Sequence, residues 1–217
     1  MTALITLSHG SRHPRAKEGI HALTEAAADK LGVEWADAHL EFDRPTLAEA
    51  AAALDSPRAI VVPLLFTRAF HAKVDVPAHL AEARAHCDLT LAEPLGTGPD
   101  IAEVLHKRLL IDAPSAPHAT LFPVGTSDTE QAANYTRLAD DLARLAGIEV
   151  SVVQATGGDR RFVDRQTHVL PLFVTHGTLL NRIPEHLSAS GPLTTDLADV
   201  VANRYRAAEK DALNVQD

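Results

Sequence analysis

Cysteine is almost absent from this chain: Cys87 is the only one in 217 residues. A single thiol closes no internal disulfide, and with no second one there is no thiolate cluster for a metal or an iron–sulfur centre. Any metal ion must therefore be held by His, Asp or Glu. Basic charge is also short, with 20 Lys and Arg against 29 Asp and Glu and a formal net charge of −9. That balance excludes a nucleic acid or an anionic membrane as partner, because both demand a basic footprint. Small anionic ligands stay open, since screening over about 8 Å leaves local arginines to set the potential inside a cleft. Long apolar runs are missing as well. The N-terminal MTALITL has no basic region and is too short for a signal peptide or a membrane span, which need about 7–15 and about 20 apolar residues. The expected compartment is the cytoplasm. No low-complexity tract occurs, and 46% hydrophobic with 23% charged residues is a globular composition with material for a real core.

What is present is an alternation. ALITL (3–7) precedes a stretch with Ile20, Leu23, Ala27 and Leu31 at helical spacing; VEWADAHLEF (33–42) precedes a helix opening at Thr46, with Glu49 completing a capping box. RAIVVPLLF (58–66) reads as a strand buried on both faces, a helix should start near Pro77, and DLTLAEP (88–94) and DIAEVLHKRLL (100–110) continue the order. Repeated strand and helix imply a parallel sheet covered on both sides. The prolines of IDAPSAPH (111–118) interrupt the pattern, and then it begins again with TLFPVGTSDTE (120–130), where Ser127 and Glu130 suggest a second capping box. PLLFTRAFHAKVDVPAHL (63–80) aligns with PLFVTHGTLLNRIPEHL (171–187), which indicates an internal duplication into halves 1–112 and 118–217. The copies are unequal. The strand near residue 90 has no room in the second half, no histidine there matches His9, and the counterpart of His71 is Thr178 or Leu179.

In an open α/β sheet, ligands bind beyond the carboxyl ends of the strands. His9 follows the first strand, Glu41 ends the second and His71 lies in the loop after the third, so all three can meet at one rim. Two imidazoles and a carboxylate suit Fe²⁺, Co²⁺, Ni²⁺ or Zn²⁺ and leave open positions on the ion. Most other histidines, among them His39, His79, His86, His106, His118 and His186, are read as surface or satisfied core residues. Arg12, Arg15, Arg44, Arg68 and Lys73 crowd the same rim, where the planar fork of arginine could grip a multiply carboxylated ligand; Arg160, Arg161 and Arg165 could join from the second half.

Taken together, LSHGSRHPRA, HLEFDRPTL and PLLFTRAFHAKVDVPAHL resemble the class II chelatases of the CbiX/SirB type, which insert a divalent metal into sirohydrochlorin. The resemblance runs over nearly the whole chain. It implies two flavodoxin-like α/β halves with a cleft between them, a tetrapyrrole as the small-molecule partner, and Fe²⁺, Co²⁺ or Ni²⁺ as substrate with no permanently bound cofactor. Residue by residue it implies His9, Glu41 and His71 as metal ligands and catalytic groups, one of which also accepts a pyrrole proton, and Ser11 and Arg12 as substrate contacts. Arg68 and Lys73 join the substrate-binding set, and Asp75 and Pro77 shape the loop. Phe70 stands where the family often has glycine and offers a ring to stack on the macrocycle. The turn VGTSD, with Ser127, is a shortened form of a Gly- and Ser-rich family segment expected to hold substrate carboxylates on backbone N–H groups. Both the siroheme and the cobalamin routes are allowed. A duplicated chain can build alone the cleft that a single-copy relative makes by dimerising, which favours a monomer over a dimer.

Two other readings compete. SHGSRHP also resembles the RHGxRxP motif of histidine acid phosphatases, but Ser8 replaces the leading arginine, no His-Asp or His-Glu pair follows, and the duplication and the His71 loop go unexplained. The non-enzymatic reading is a metal or tetrapyrrole carrier using the same three ligands without turnover.

Overall fold

The computed structural model describes residues 2–67, 78–157, 162 and 166–214. The chain forms two compact units, Met1–Gly96 with Thr194–Asp217, and Thr97–Leu193. The first contains β1 (Ala3–Ser8), α1 (Ala16–Leu31), β2 (Trp35–His39), α2 (Leu47–Ala53), β3 (Arg58–Pro63), helical residues 78–83 (α3) and β4 (Asp88–Leu91). The second contains α4 (Pro99–Asp112), β5 (His118–Pro123), α5 (Thr129–Ala146), β6 (Glu149–Val152), β7 (Thr167–Leu172) and a two-residue β8 (Ser188–Ala189). Helix α6 (Ala198–Asn214) follows in the first unit.

Each unit has a four-stranded sheet, ordered β2-β1-β3-β4 and β6-β5-β7-β8, and every pairing is parallel. The alternating pattern therefore becomes the layered α/β architecture expected, with the same strand order twice. β1 is buried along its whole length, as a central strand covered on both faces must be. Thr46 caps α2 with Glu49 reaching back, the predicted capping box.

Three local features differ from expectation. The fourth strand of the second unit is not lost; it survives as β8, paired with β7 through Ser188 and Ala189. The compact units are also not the contiguous stretches 1–112 and 118–217, because α4 groups with the second unit and α6 with the first. Helix α6 packs on α1. It is fastened within the first unit by Arg204, whose guanidinium donates to the carbonyls of Pro94 (3.0 Å) and Leu95 (2.6 Å), and by the Tyr205 hydroxyl, which donates to Thr2 (2.6 Å). Burial, aided by nearby Glu209, pushes the Tyr205 phenol up to about 12. Finally, α5 starts at Thr129 with Asp128 as its cap rather than Ser127; the Asp128 carboxylate accepts from the N–H groups of Glu130 (2.8 Å) and Gln131 (3.2 Å).

The second unit also holds a polar chain around two buried residues, His168 and Ser190. Ser190 donates to Asp112 Oδ2 (2.6 Å), so its oxygen is left to accept from Nε2–H of His168 (2.9 Å), while Nδ1 of His168 accepts from the Ser188 hydroxyl (2.8 Å). With the imidazole neutral, both ring nitrogens are satisfied. His168 is 2% exposed, and burial pulls its imidazole below the ordinary value despite the opposing charge of Asp112. The folded state thus favours neutral His168, and its contribution to stability is complete above a pH of about 6.5 and is lost as pH falls below it. The melting temperature is expected to drop between pH 7.5 and 5.5, and by less in His168→Gln. Equal drops in the two proteins would contradict this assignment.

Candidate active site

Strands β1 and β2 lie side by side in parallel, with Ser8 opposite His39 at their ends, and the pairing continues past both. The N–H of Leu40 donates to Ser8 O (2.9 Å) and that of Glu41 to His9 O (3.0 Å). The backbones of two predicted ligands are therefore tied together directly beyond the sheet edge. Gly10 makes this approach feasible: its φ is +89°, and a Cβ there would lie 1.7 Å from the carbonyl oxygen of Glu41. Only glycine tolerates that neighbour.

The next residue, Phe42, is the least expected feature. It is 53% exposed and has φ +65°, with Asp43 N–H donating to Glu41 O (2.8 Å) across it. An i to i+2 bond with positive φ is a strained γ-turn, and a bulky residue held there costs on the order of 1–3 kcal/mol. The His9 ring meets Phe42 edge-on, centroids 5.9 Å apart, and the Arg12 guanidinium lies 4.8 Å over the ring. His9 is half-buried, and Glu41 and Arg12 are exposed.

Ser11 does not cap α1, which begins at Ala16 with Arg15 in the cap position. Its hydroxyl instead accepts from His13 N–H (3.1 Å), shaping the turn that carries Arg12. Arg44 is drawn away from the rim set, its guanidinium pairing with Glu49. Arg68, Phe70, His71, Lys73, Asp75 and Pro77, like Arg160, Arg161 and Arg165, lie outside the described residues. Among the described residues no three His, Cys, Asp or Glu side chains gather as a metal-holding group. Of the expected set, His9 and Glu41 lie among the described residues, their backbones paired at the sheet edge.

Beneath the rim lies a polar cluster that sequence reasoning missed, its Asp37 and His39 buried and its His21 exposed. Ser8 Oγ is 2.7 Å from His39 Nδ1, His39 Nε2 faces Asp37 Oδ2 at 3.4 Å, and Asp37 Oδ1 is 3.0 Å from Nδ1 of His21. Asp37 and His39 alternate along β2 and share one face, which the pattern DxH could have signalled. Burial pushes the Asp37 carboxyl up, but hydrogen bonds and charge from His39 and His21 outweigh it and hold the group below the usual carboxylate range. His39 is thus a satisfied core histidine on its Ser8 side, locking β1 to β2 one residue before His9.

The second unit repeats the backbone of this edge without its side chains. Ala155 N–H donates to Pro123 O (2.9 Å) and Thr156 N–H to Val124 O (2.8 Å), the same two rungs. Val124, Gly125 and Thr156 thereby occupy the places of His9, Gly10 and Glu41. Gly125 keeps the left-handed turn, with φ +103° and a would-be Cβ 2.7 Å from Thr156 O. Thr178 and Leu179, set beside His71 by sequence, open a short 3₁₀ turn, Thr178–Arg182. Ser127 is exposed, but two of the first N–H groups of α5 are already taken by Asp128. Asp128→Ala is expected to lower stability by about 1 kcal/mol, the usual worth of such a cap, read as a reduced denaturation midpoint; an unchanged midpoint would show the cap idle.

Two parallel α/β sheets, one of them pairing the backbones of a histidine and a glutamate at its edge, define a chelatase-like, two-unit protein. The family model CbiX matches residues 3–111, and the chain belongs to that family. It is 26% identical to a sirohydrochlorin ferrochelatase of Priestia megaterium, covering 94% of this chain and 84% of the relative. It is 23% identical to a sirohydrochlorin cobaltochelatase of the same organism, covering 85% of this chain and 68% of the relative. In fold it is similar to SirB from Bacillus subtilis, solved with Fe³⁺, with a TM-score of 0.81 at 21% identity over 99% of this chain and 98% of that one.

Proposed function

We propose that this protein inserts a divalent metal, Fe²⁺ or Co²⁺, into sirohydrochlorin, with the ion as substrate rather than as resident cofactor. The observation that carries the reading is the backbone pairing of His9 with Glu41 beyond the edge of β1 and β2. It brings the backbones of a histidine and a glutamate side by side where α/β sheets bind ligands, within the stretch that the family model covers. The names of the relatives supply the substrate class.

In this reading His9, Glu41 and His71 hold the ion, and Ni²⁺ suits the same donors. Ser11 and Arg12, with Arg68, Phe70, Lys73 and Ser127, contact the tetrapyrrole. Insertion exchanges two pyrrole N–H bonds for bonds to the ion and releases two protons. A ligand that gives up the metal becomes a proton acceptor in the same step, and histidine, with a reference pKa of about 6.5, suits both roles near neutrality. The reading takes the chain to work as a monomer in the cytoplasm, its two units arising by duplication. The shared strand order and the repeated rungs support the duplication; among the described residues no helix is long and apolar enough to cross a membrane.

The test is turnover. Anaerobic absorbance is followed with free sirohydrochlorin and either Fe²⁺ or Co²⁺, each in large excess over the protein. Metallated product exceeding the protein many times over, above the uncatalysed rate, is expected. Product that stops at one equivalent would instead make the protein a carrier.

A further inference from the structure

Phe42 is the one large aromatic ring beside His9 among the described residues, and the proposed metal ligands do not account for it. A side chain that merely finished β2 would turn inward or give way to glycine, since φ +65° favours glycine and half the residue is left in water. Here the strain is kept, and the ring is presented outward. Its neighbours say to what. On one side is the His9 imidazole, edge-on at 5.9 Å; over the ring is the Arg12 guanidinium at 4.8 Å. An exposed ring, an imidazole at the proposed metal site and a cation thus sit together at one sheet edge.

We propose that Phe42 is a substrate-positioning residue: its ring stacks on the edge of a carboxylated tetrapyrrole whose centre faces His9, while Arg12, steered by the same ring, pairs with a peripheral carboxylate. This deepens the chelatase reading and rests on it. The chemistry fits the parts. An aromatic macrocycle stacks offset on a phenyl ring, and a guanidinium held by a cation–π contact keeps its N–H fork for a carboxylate. Rigid backbone at Phe42 sets the height of the macrocycle above the ligands. The γ-turn bond from Asp43 to Glu41 couples that height to the carboxylate ligand itself.

The experiment separates macrocycle from metal. Metal-free sirohydrochlorin is titrated into wild type, Phe42→Leu, Phe42→Gly and Phe42→Trp by fluorescence, Co²⁺ is titrated separately, and KM and kcat are measured for metallation. Phe42→Leu and Phe42→Gly are expected to weaken macrocycle binding and raise KM by about 10-fold, the worth of one stacked ring. Phe42→Trp, which restores a ring, returns both toward wild type, and Co²⁺ affinity holds in all of them. Phe42→Gly, which relieves the backbone strain, also guards against misfolding as the cause of a loss. Wild-type KM in Phe42→Leu and Phe42→Gly, with wild type binding the macrocycle, would overturn the role of Phe42 alone. Wild type that binds no macrocycle would overturn the chelatase reading and this inference together.

Discussion

His9→Ala is expected to reduce sirohydrochlorin metallation by about 100-fold or more, to near the uncatalysed rate, the scale on which enzymes lose a positioned acid–base or electrostatic group. The protein should stay folded. His9 lies past the end of β1, half-buried at the rim, and its backbone carbonyl, which receives Glu41 N–H, survives the substitution. Its imidazole packs edge-on against Phe42, an exposed ring, so little burial goes with it. Activity and stability should therefore separate: rate collapses while the melting temperature barely moves. Glu41→Gln makes the same point from the other strand, since it keeps shape and backbone pairing and removes only the charge. If His9→Ala metallates at the wild-type rate, the rim is not the site of reaction.

Gly10→Ala is expected to give the largest loss of stability. Two costs add. A left-handed alanine is strained by about 1–2 kcal/mol. Beyond that, its Cβ would fall 1.7 Å from the backbone oxygen of Glu41, which no rotation of a side chain can relieve. The β1–β2 edge must open, and a total of about 2–4 kcal/mol is expected, in the range of backbone strain and steric substitutions. Gly32→Ala is the control. It has φ +67° with nothing within 4 Å of a new Cβ, so it should cost only the strain, about 1 kcal/mol. Because the clash displaces Glu41 itself, Gly10→Ala should also lose activity in the fraction that remains folded. Equal denaturation midpoints for the two alanine variants would show that the close approach does not exist.

The backbone pairing of His9 with Glu41 was legible because it follows from topology: strands that run parallel end at one edge, so residues after successive strands become neighbours. The capping box at Thr46 was legible because it is local, complete within four residues. What escaped the sequence depends on choices between near-equals or on distant partners. Asp128 displaced Ser127 as the cap of α5 through a start shifted by one residue, and both are good caps. The placement of α6 in the first unit depends on Arg204 and Tyr205 reaching Pro94, Leu95 and Thr2, far away in sequence. Phe42 was hidden for another reason: positive φ is a glycine signal, and nothing in the letters LEFD marks a phenylalanine forced into it. His71, the third predicted ligand, falls outside the described residues, and its place in the site is for chemistry to decide.

That decision is open to one measurement. Co²⁺ is titrated anaerobically into wild type, His9→Ala, Glu41→Gln, His71→Ala and the double variant lacking both histidines, and the ligand-field absorption of the bound ion is recorded. A single site built at three strand ends predicts one Co²⁺ per wild-type chain, weaker binding with an altered spectrum in each single variant, and no bound ion in the double variant. One equivalent of Co²⁺ held with the wild-type spectrum after both histidines are gone would contradict the account at its centre.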